Sequence, residues 1–138
     1  MLLALKLFKG MQDEQLAILL DHAELIDYMA ADYIIREGEQ GQHLFVIIAG
    51  QVDICKRVHG AQKVIQRLGP GEAFGEMSLI ECRARCASVR AATPCKALRI
   101  DGGCLDKLPD IALRIYRNIA ILLSQRLRQA NEIIALSR

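Results

Sequence analysis

This sequence of 138 residues contains no tryptophan, and aromatic residues make up only 4% of it. A packed interior must therefore be built mainly from leucine, isoleucine, valine and alanine, since hydrophobic residues together reach 52%. Charged residues make up 25%, an ordinary share for a globular chain, so extended disorder is not expected. The length suits one ordinary domain, and we expect a single domain over residues 1–138.

Long hydrophobic runs are also missing. Residues 1–8 are mostly apolar, but this run is too short to span a bilayer and lacks the parts of a signal peptide. No later segment approaches the roughly 20 continuous apolar residues of a membrane span. We therefore expect a cytoplasmic chain with no membrane span of its own, either free or as the cytosolic part of a larger membrane protein.

Charge of one sign is not in large excess either. The 18 lysines and arginines against 16 aspartates and glutamates leave a net charge of +2, which is too weak to indicate a nucleic-acid polymer as the partner. No nucleophile–base pair, metal-ligand grouping or converging pair of carboxylates is recognisable. The sequence therefore predicts neither an enzyme nor a metal site, and it predicts no cofactor.

The five cysteines form no recognisable framework. Their number is odd, no two are spaced as CxxC, and no zinc-type grouping with histidine occurs. The simplest interpretation is free thiols in a reducing cytosol, where a buried cysteine packs as a small hydrophobic residue. The cysteines are Cys55, Cys82, Cys86, Cys95 and Cys104.

Hydrophobic patterning divides the chain into three zones. Over residues 1–23, leucines recur at helical spacing after an acidic helix start, which predicts a short amphipathic helix. Over residues 24–101, short runs rich in isoleucine, valine and leucine alternate with turn residues, which is typical of an antiparallel sandwich or barrel. Over residues 109–136, proline and aspartate precede a stretch without proline or glycine, which predicts one long helix.

The predicted long helix has one wide apolar face, which we expect to be buried. Arg126 points along the middle of this face. Its head group either reaches solvent or pairs with a carboxylate, or else it faces a ligand or a partner helix. Leu113 and Ile121 lie off the face, so a partner protein has room to pack there. The apolar face comprises Ala112, Ile115, Tyr116, Ile119, Leu122, Leu123, Leu127, Ala130, Ile133 and Ile134.

Residues 69–92 carry the most chemical information. A helix starting near Gly75 would present unpaired backbone N–H groups, and Arg85 offers a planar fork for two phosphate oxygens. Ionised Glu76 can only accept hydrogen bonds, so beside an anion it requires a ligand with hydroxyl donors, as a ribose has. The segment therefore indicates a site for an anion that carries a sugar hydroxyl. The competing interpretation is a loop with solvated surface charges.

The segments 74–79 and 85–89 resemble the phosphate-binding cassette of the cyclic-nucleotide-binding domain family. This family includes regulatory subunits of cAMP-dependent protein kinase, cyclic-nucleotide-gated channels and bacterial catabolite activator proteins. Residues 33–39 resemble its second strand and residues 44–52 the next hairpin, so that the resemblance covers residues 7–132. It implies a mainly β fold with flanking helices, an antiparallel eight-stranded β-roll (jelly-roll). A short N-terminal helix, a one-turn cassette helix and a long C-terminal lid helix are implied with it.

The resemblance also implies residue roles. Glu76 would bind the ribose 2′-hydroxyl and Arg85 the cyclic phosphate. The base would lie against side chains of the roll, and the C-terminal helix would close over it as a lid. Backbone N–H groups of Gly75, Met77, Cys86 and Ala87 would complete the phosphate site; Val64 and Leu68 are the candidates for the base, and Ser124 and Arg126 for the lid.

Three positions depart from the family pattern. Ala84 stands where a proline usually precedes the cassette arginine, and Ala31 stands where glycine is common before the second strand. Cys86 occupies a position where cGMP-preferring members often carry threonine. Because a thiol is a weak hydrogen-bond partner, the departure at Cys86 favours cAMP over cGMP as the small-molecule ligand.

The leading hypothesis is therefore a cytoplasmic regulatory domain in which a bound cyclic nucleotide favours the closed position of the C-terminal helix. One alternative is a redox sensor, in which Arg83 and Arg85 lower the pKa of the thiols of Cys82 and Cys86. Another is an interaction module without a ligand. An output domain or partner protein on the C-terminal helix, and a homodimer, both stay open, and no nucleic-acid reader is expected beyond that helix.

Overall fold

The computed structural model describes residues 5–76 and 85–136. Within these ranges, a 3-10 turn over Lys6–Phe8 and the helix α1 over Asp13–Leu20 precede the strands. A 3-10 segment over Gly102–Lys107 and the long helix α2 over Pro109–Leu136 follow them. The strands are β1 (Ala23–Tyr28), β2 (Tyr33–Ile35), β3 (His43–Ala49), β4 (Val52–Val58), β5 (Ala61–Leu68), β6 (Ala73–Phe74), β7 (Ser88–Ala91) and β8 (Cys95–Asp101).

The eight strands form two antiparallel sheets. One has the order β1-β8-β3-β6 and the other has the order β2-β7-β4-β5. The chain therefore crosses between the sheets several times, as a β-roll requires, and the predicted roll with a short N-terminal helix and a long C-terminal helix is confirmed. The strands begin at Ala23, one residue before the predicted boundary. Of the predicted cassette helix only Glu76 is helical in the described residues, and the rest of it lies outside them.

A two-residue turn connects β4 and β5 into a hairpin. His59 and Gly60 have φ angles of +52° and +79°. Two successive positive φ angles are those of a type I′ turn, whose twist matches that of the flanking strands. Ala31, in the turn between β1 and β2, also has a positive φ of +75°. An alanine in this conformation is strained by its Cβ, which is the reason that glycine suits this position better.

Two hydrophobic clusters fill the molecule. One lies inside the roll, where the rings of Phe45 and Phe74 stack at a centroid distance of 5.0 Å. The other lies between the roll and the helices, and the expected aliphatic character holds for both clusters. The buried helical residues in the second cluster include Leu16, Leu19, Ile111, Ile115, Ile119 and Leu122.

The first half of α2 packs on the roll, whereas the second half does not. The buried residues of the helix lie between Ile111 and Leu122. Beyond half-buried Leu123 the apolar face is open to solvent, with Leu127 63% and Ile133 67% exposed. The predicted burial of the whole face is therefore wrong for the second half. A helix of 28 residues is about 42 Å long and extends past a roll whose longer strands span about 25 Å.

A buried amide ties α2 to the N-terminal segment. The Asn118 side chain is 3% exposed, and its Nδ2 donates hydrogen bonds to the carbonyl oxygens of Leu7 at 2.7 Å and Lys9 at 2.9 Å. Two buried or half-buried carbonyl groups therefore find their partner in one side chain. No helix in the part of the chain that the structure describes is both long and apolar enough to cross a membrane.

Candidate ligand-binding site

A cavity of about 210 Å³ opens on the roll beneath the second half of α2. It brings together the predicted residues Gly75, Glu76, Arg85, Cys86 and Ala87, and α2 contributes Arg126 to its wall. Met77, also predicted here, lies outside the described residues. The remaining wall is provided by Ile35, Ile54, Ile65, Gln66, Phe74 and Val89.

Arg85 is fixed in this cavity by its side chain and by its backbone. The guanidinium donates from Nη1 to the carbonyl oxygen of Gly75 and from Nη2 to that of His43, both at 2.9 Å. The backbone of Arg85 exchanges hydrogen bonds with the turn after β2, through Glu39 and Gly38. The side chain is only 7% exposed. Its position is therefore set by the roll before any ligand arrives.

Two glycines make the space for this guanidinium. Gly75 has a φ of +88°, and a Cβ there would lie 2.8 Å from the carbonyl oxygen of His43 and 3.1 Å from Nη1 of Arg85. A Cβ on Gly41 would lie 3.0 Å from Nη2. Any larger residue at position 75 would therefore be strained and would also press on the arginine. The sequence pattern indicated Gly75, whereas it contained no signal for Gly41 beyond a turn.

The electrostatics of Arg85 leave a positive charge available. Burial lowers the pKa of the guanidinium, and the nearby charge of Glu76 acts in the opposite direction. An arginine remains protonated in proteins even so. Among the described residues, no carboxylate forms an ion pair with it. Among the described residues the hydrogen-bond partners of the guanidinium are neutral carbonyl groups, so no direct ion pair neutralises its charge.

The side chain of Glu76 forms an ion pair with Arg126 of α2. Its Oε1 accepts a hydrogen bond from Nη1 of Arg126 at 2.7 Å, and Nη2 of the same arginine donates to the carbonyl oxygen of Ala73, also at 2.7 Å. Glu76 is 8% exposed. Of the interpretations offered for Arg126, pairing with a carboxylate is confirmed. The arginine also lines the cavity, so the same contact that anchors the helix borders the candidate site.

The residues predicted to contact a base lie elsewhere. Val64 is exposed and does not line the cavity, and Leu68 is buried in the core of the roll. For Val64 the cause is a β-bulge, since Ile54 pairs with Gln66 while the next residue of β4 pairs with Val64. Ile65 is the extra residue of the bulge, and Ile65 and Gln66 line the cavity instead.

Ser124 is exposed and does not line the cavity either. Residues two apart on a helix point about 200° away from each other, so Ser124 and Arg126 cannot face the same site. The structure therefore corrects the lid candidates to Arg126 within the described residues. Pairing of Arg126 with a specific carboxylate was not visible in the sequence, because the two residues are 50 positions apart.

The thiols give limited support to redox chemistry. Cys55, Cys95 and Cys104 are buried, whereas Cys86 is exposed, and Cys82 lies outside the described residues. Burial raises the pKa of Cys55 and Cys104, which disfavours their reactive thiolate forms. In residues 5–76 and 85–136 no cluster of histidine, cysteine, aspartate and glutamate side chains could hold a metal ion.

Comparison with known proteins extends these observations. The family model of the cyclic nucleotide-binding domain matches residues 25–110. The cyclic AMP receptor protein of Thermus thermophilus is 32% identical over 130 residues, which cover 91% of this chain and 58% of the relative. Human cGMP-dependent protein kinase 2 is 35% identical over 90 residues, which cover 64% of this chain and 12% of the relative. The relatives are thus named for two different nucleotides.

A solved structure agrees with the sequence comparison. The catabolite activator protein of Thermus thermophilus superimposes with a TM-score of 0.80 at 30% identity, covering 95% of this chain and 62% of that one. The chain spans little more than half the length of the bacterial relatives that it matches. The similarity therefore concerns one domain of those proteins.

Proposed function

The chain belongs to the cyclic nucleotide-binding domain family, and we propose that it is a regulatory domain that binds cAMP in preference to cGMP and signals through α2. One observation carries the proposal. A single cavity contains a buried arginine that forms no ion pair among the described residues and a buried glutamate that is held by the C-terminal helix. Phosphate, sugar and helix can therefore meet at one place.

The phosphate is proposed to bind at Arg85. Two of the five N–H donors of a guanidinium are used by the carbonyl groups of Gly75 and His43, and the others can donate to phosphate oxygens. The N–H groups of Gly75, Cys86 and Ala87 are proposed to donate as well, since these small residues line the same cavity. The charge of the cyclic phosphate would then be compensated by one cation and several amides.

The ribose is proposed to bind at Glu76, where it would meet Arg126. A 2′-hydroxyl that donates to the Glu76 carboxylate would share this group with the arginine, so that the ligand and the helix contact the same side chain. Because a ligand shifts a conformational equilibrium only by its different affinity for the two states, this shared carboxylate is the proposed origin of that difference. The position of the second half of α2 would report occupancy.

The base is proposed to lie between Ile54, Ile65 and Gln66. The two isoleucines offer apolar surface to a purine ring, and the Gln66 amide offers both a donor and an acceptor. Adenine presents an amino donor beside the N7 acceptor, which complements an amide, whereas guanine presents two acceptors on that edge. The amide and the thiol of Cys86 both support a preference for cAMP.

Calorimetric titration of the purified chain with cAMP and cGMP tests the proposal. We expect Arg85→Ala to weaken cAMP binding by at least ~1.5–3 kcal/mol, the range for hydrogen bonds to a charged group. Arg57→Ala removes an equal charge from an exposed position outside the cavity and is the matched control. Thermal melts of both variants establish that they fold. Equal affinities in the wild type and Arg85→Ala, or tighter binding of cGMP, would contradict the proposal.

The second half of α2 is proposed to bind a second copy of the chain. The residues Ala120, Leu123, Leu127 and Ala130 recur at three- and four-residue intervals, the spacing of a two-stranded coiled coil. Ala120, Leu127 and Ala130 are exposed, and half-buried Leu123 borders the cluster between the roll and the helices. Sedimentation of the wild type should reveal dimers at high concentration, and Leu127→Glu should abolish them while leaving the melting temperature of the dilute, monomeric protein unchanged. A wild type that stays monomeric would refute this part.

A further inference from the structure

A second cavity lies along α2 on a different face from Arg126. It has a volume of about 390 Å³ and is formed between the N-terminal segment and the helix. Four cationic side chains line it, with Lys6 and Lys9 on one wall and Arg114 and Arg117 on the other. We refer to this cavity and its four cations as the basic groove. It shares no lining residue with the nucleotide cavity.

The positive charge of the basic groove is not compensated within the described chain. No acidic residue lines the groove, and among the described residues none of its four cations forms an ion pair. An adjoining cavity shares Arg114 and Arg117 and contributes one carboxylate, that of Asp110. Like charges collected around one cavity repel each other, and a bound anion relieves that repulsion. The arrangement therefore favours an anionic ligand.

The two walls of the basic groove are held in place by buried contacts. Gly10 has a φ of +81°, and a Cβ there would lie 2.9 Å from Nη1 of Arg114, so the guanidinium rests directly against the backbone. Asn118 lines the groove and donates to the carbonyl oxygens of Leu7 and Lys9, which fixes the N-terminal wall to the helix. These contacts fix the backbone of the N-terminal wall and the guanidinium of Arg114, so the spacing between the two walls is set before a ligand binds.

We propose that the basic groove binds a ligand that carries two or more linked phosphate groups. Cations on both walls provide more charge and more donors than one phosphate can use, and arginine forks suit phosphate oxygens. The volume is within the range of small-molecule sites, and Ile121 and Leu122 add an apolar surface for the rest of the ligand. A soluble diphosphate compound and a phosphorylated lipid headgroup present this same chemistry.

Calorimetry with pyrophosphate and with inorganic phosphate at physiological salt tests the site. Pyrophosphate should bind at least about 10-fold more tightly than phosphate, because linked phosphates engage both walls. The double variant Lys9→Gln/Arg117→Gln removes one exposed cation from each wall and should weaken pyrophosphate binding at least about 10-fold. The matched control Arg57→Gln/Lys63→Gln removes two exposed cations of the β4–β5 hairpin and should change it less than about 2-fold, by altered net charge alone.

Vesicle pelleting distinguishes the two sources of the phosphates. Binding to vesicles with phosphatidylinositol 4,5-bisphosphate, but not to phosphatidylserine vesicles of equal charge, would assign the groove to a lipid headgroup if Lys9→Gln/Arg117→Gln abolishes it. Pyrophosphate binding without vesicle binding would assign it to a soluble ligand. The proposal is overturned if neither probe binds or if both vesicle types bind equally. It is also overturned if the groove variant and its control, both shown to be folded by thermal melts, behave alike.

Discussion

The two halves of α2 are held to the rest of the molecule by different kinds of contact. In the first half, Ile111, Ile115 and Ile119 are buried in the cluster beneath the helix, and Asn118 binds the N-terminal segment. In the second half the apolar side chains beyond half-buried Leu123 are exposed, and Arg126 ties the helix to the roll. One half is anchored by packing, whereas the other is held by polar contacts at the edge of a cavity.

The two halves of α2 can therefore have different roles. We call the packed first half the anchor, and the second half, which is proposed to respond to the ligand, the reporter. Packing contacts stabilise the first half whether or not a ligand is present. The contact of the second half depends on Glu76, the residue proposed to bind the ribose. Under the proposed function, a ligand at Glu76 would change the position of the second half without disrupting the core.

The largest expected effect concerns the anchor. Ile115 is 1% exposed, and Ile115→Ala should lower the free energy of unfolding by about 2–5 kcal/mol through lost burial and the cavity that remains. The matched truncation Ile133→Ala, at a side chain that is 67% exposed in the second half, should change it by less than about 0.5 kcal/mol. Urea unfolding of both variants measures the contrast. Similar losses in the free energy of unfolding of the two variants would show that both halves of α2 are packed equally well.

The next effect concerns the reporter. Arg126→Gln removes the ion pair with Glu76, so the second half of α2 should open more readily. We expect amide hydrogen exchange over residues 124–136 to accelerate by about 10-fold, whereas exchange over residues 111–119 should stay nearly unchanged. Exposed Arg128 gives the control variant Arg128→Gln, measured by mass spectrometry in the same way. Acceleration along the entire helix would contradict the division into two halves.

The smallest expected effect is a gain in stability from a substitution in the roll, outside α2. Ala31→Gly relieves a positive φ in the turn between β1 and β2 and should add about 1 kcal/mol to the free energy of unfolding. Ala30→Gly, at a neighbouring position without a positive φ, should lower it by about 0.5–1 kcal/mol. Thermal and urea unfolding measure both. Because the strain at Ala31 lies in the roll, Ala31→Gly should leave the ratio of amide hydrogen-exchange rates between the two halves of α2 unchanged. A changed ratio would show that the turn between β1 and β2 is coupled to the helix.

Sequence patterns predicted the architecture where the cause is local. Pro109 favours a helix start, and the absence of helix breakers after it carries α2 to Leu136, as observed. His59 and Gly60 interrupt the run of strand residues where the type I′ turn occurs. The resemblance to a known family indicated Glu76 and Arg85, and the structure brings both into one cavity. Their roles toward a ligand stay predictions.

The cavity wall proposed to face the base could not be predicted, because it depends on strand register. Val64 and Leu68 are candidates from the family resemblance, but an extra residue opposite β4 shifts the register at Val64, and Leu68 is buried in the core of the roll. Ile65 and Gln66 consequently line the cavity. A bulge without a glycine, as here, has no clear sequence signal, so register becomes known only when both strands are in place.

What the sequence determined by itself is the set of elements and their order, since helix and strand patterns arise from residues a few positions apart. The tertiary structure decided which of these elements share polar contacts. Asn118 meets the carbonyl oxygen of Leu7 across 111 residues, and Arg126 meets Glu76 across 50. A polar side chain on an apolar face has several possible partners in the sequence. Only the packing of helix against roll brings one of them within hydrogen-bonding distance.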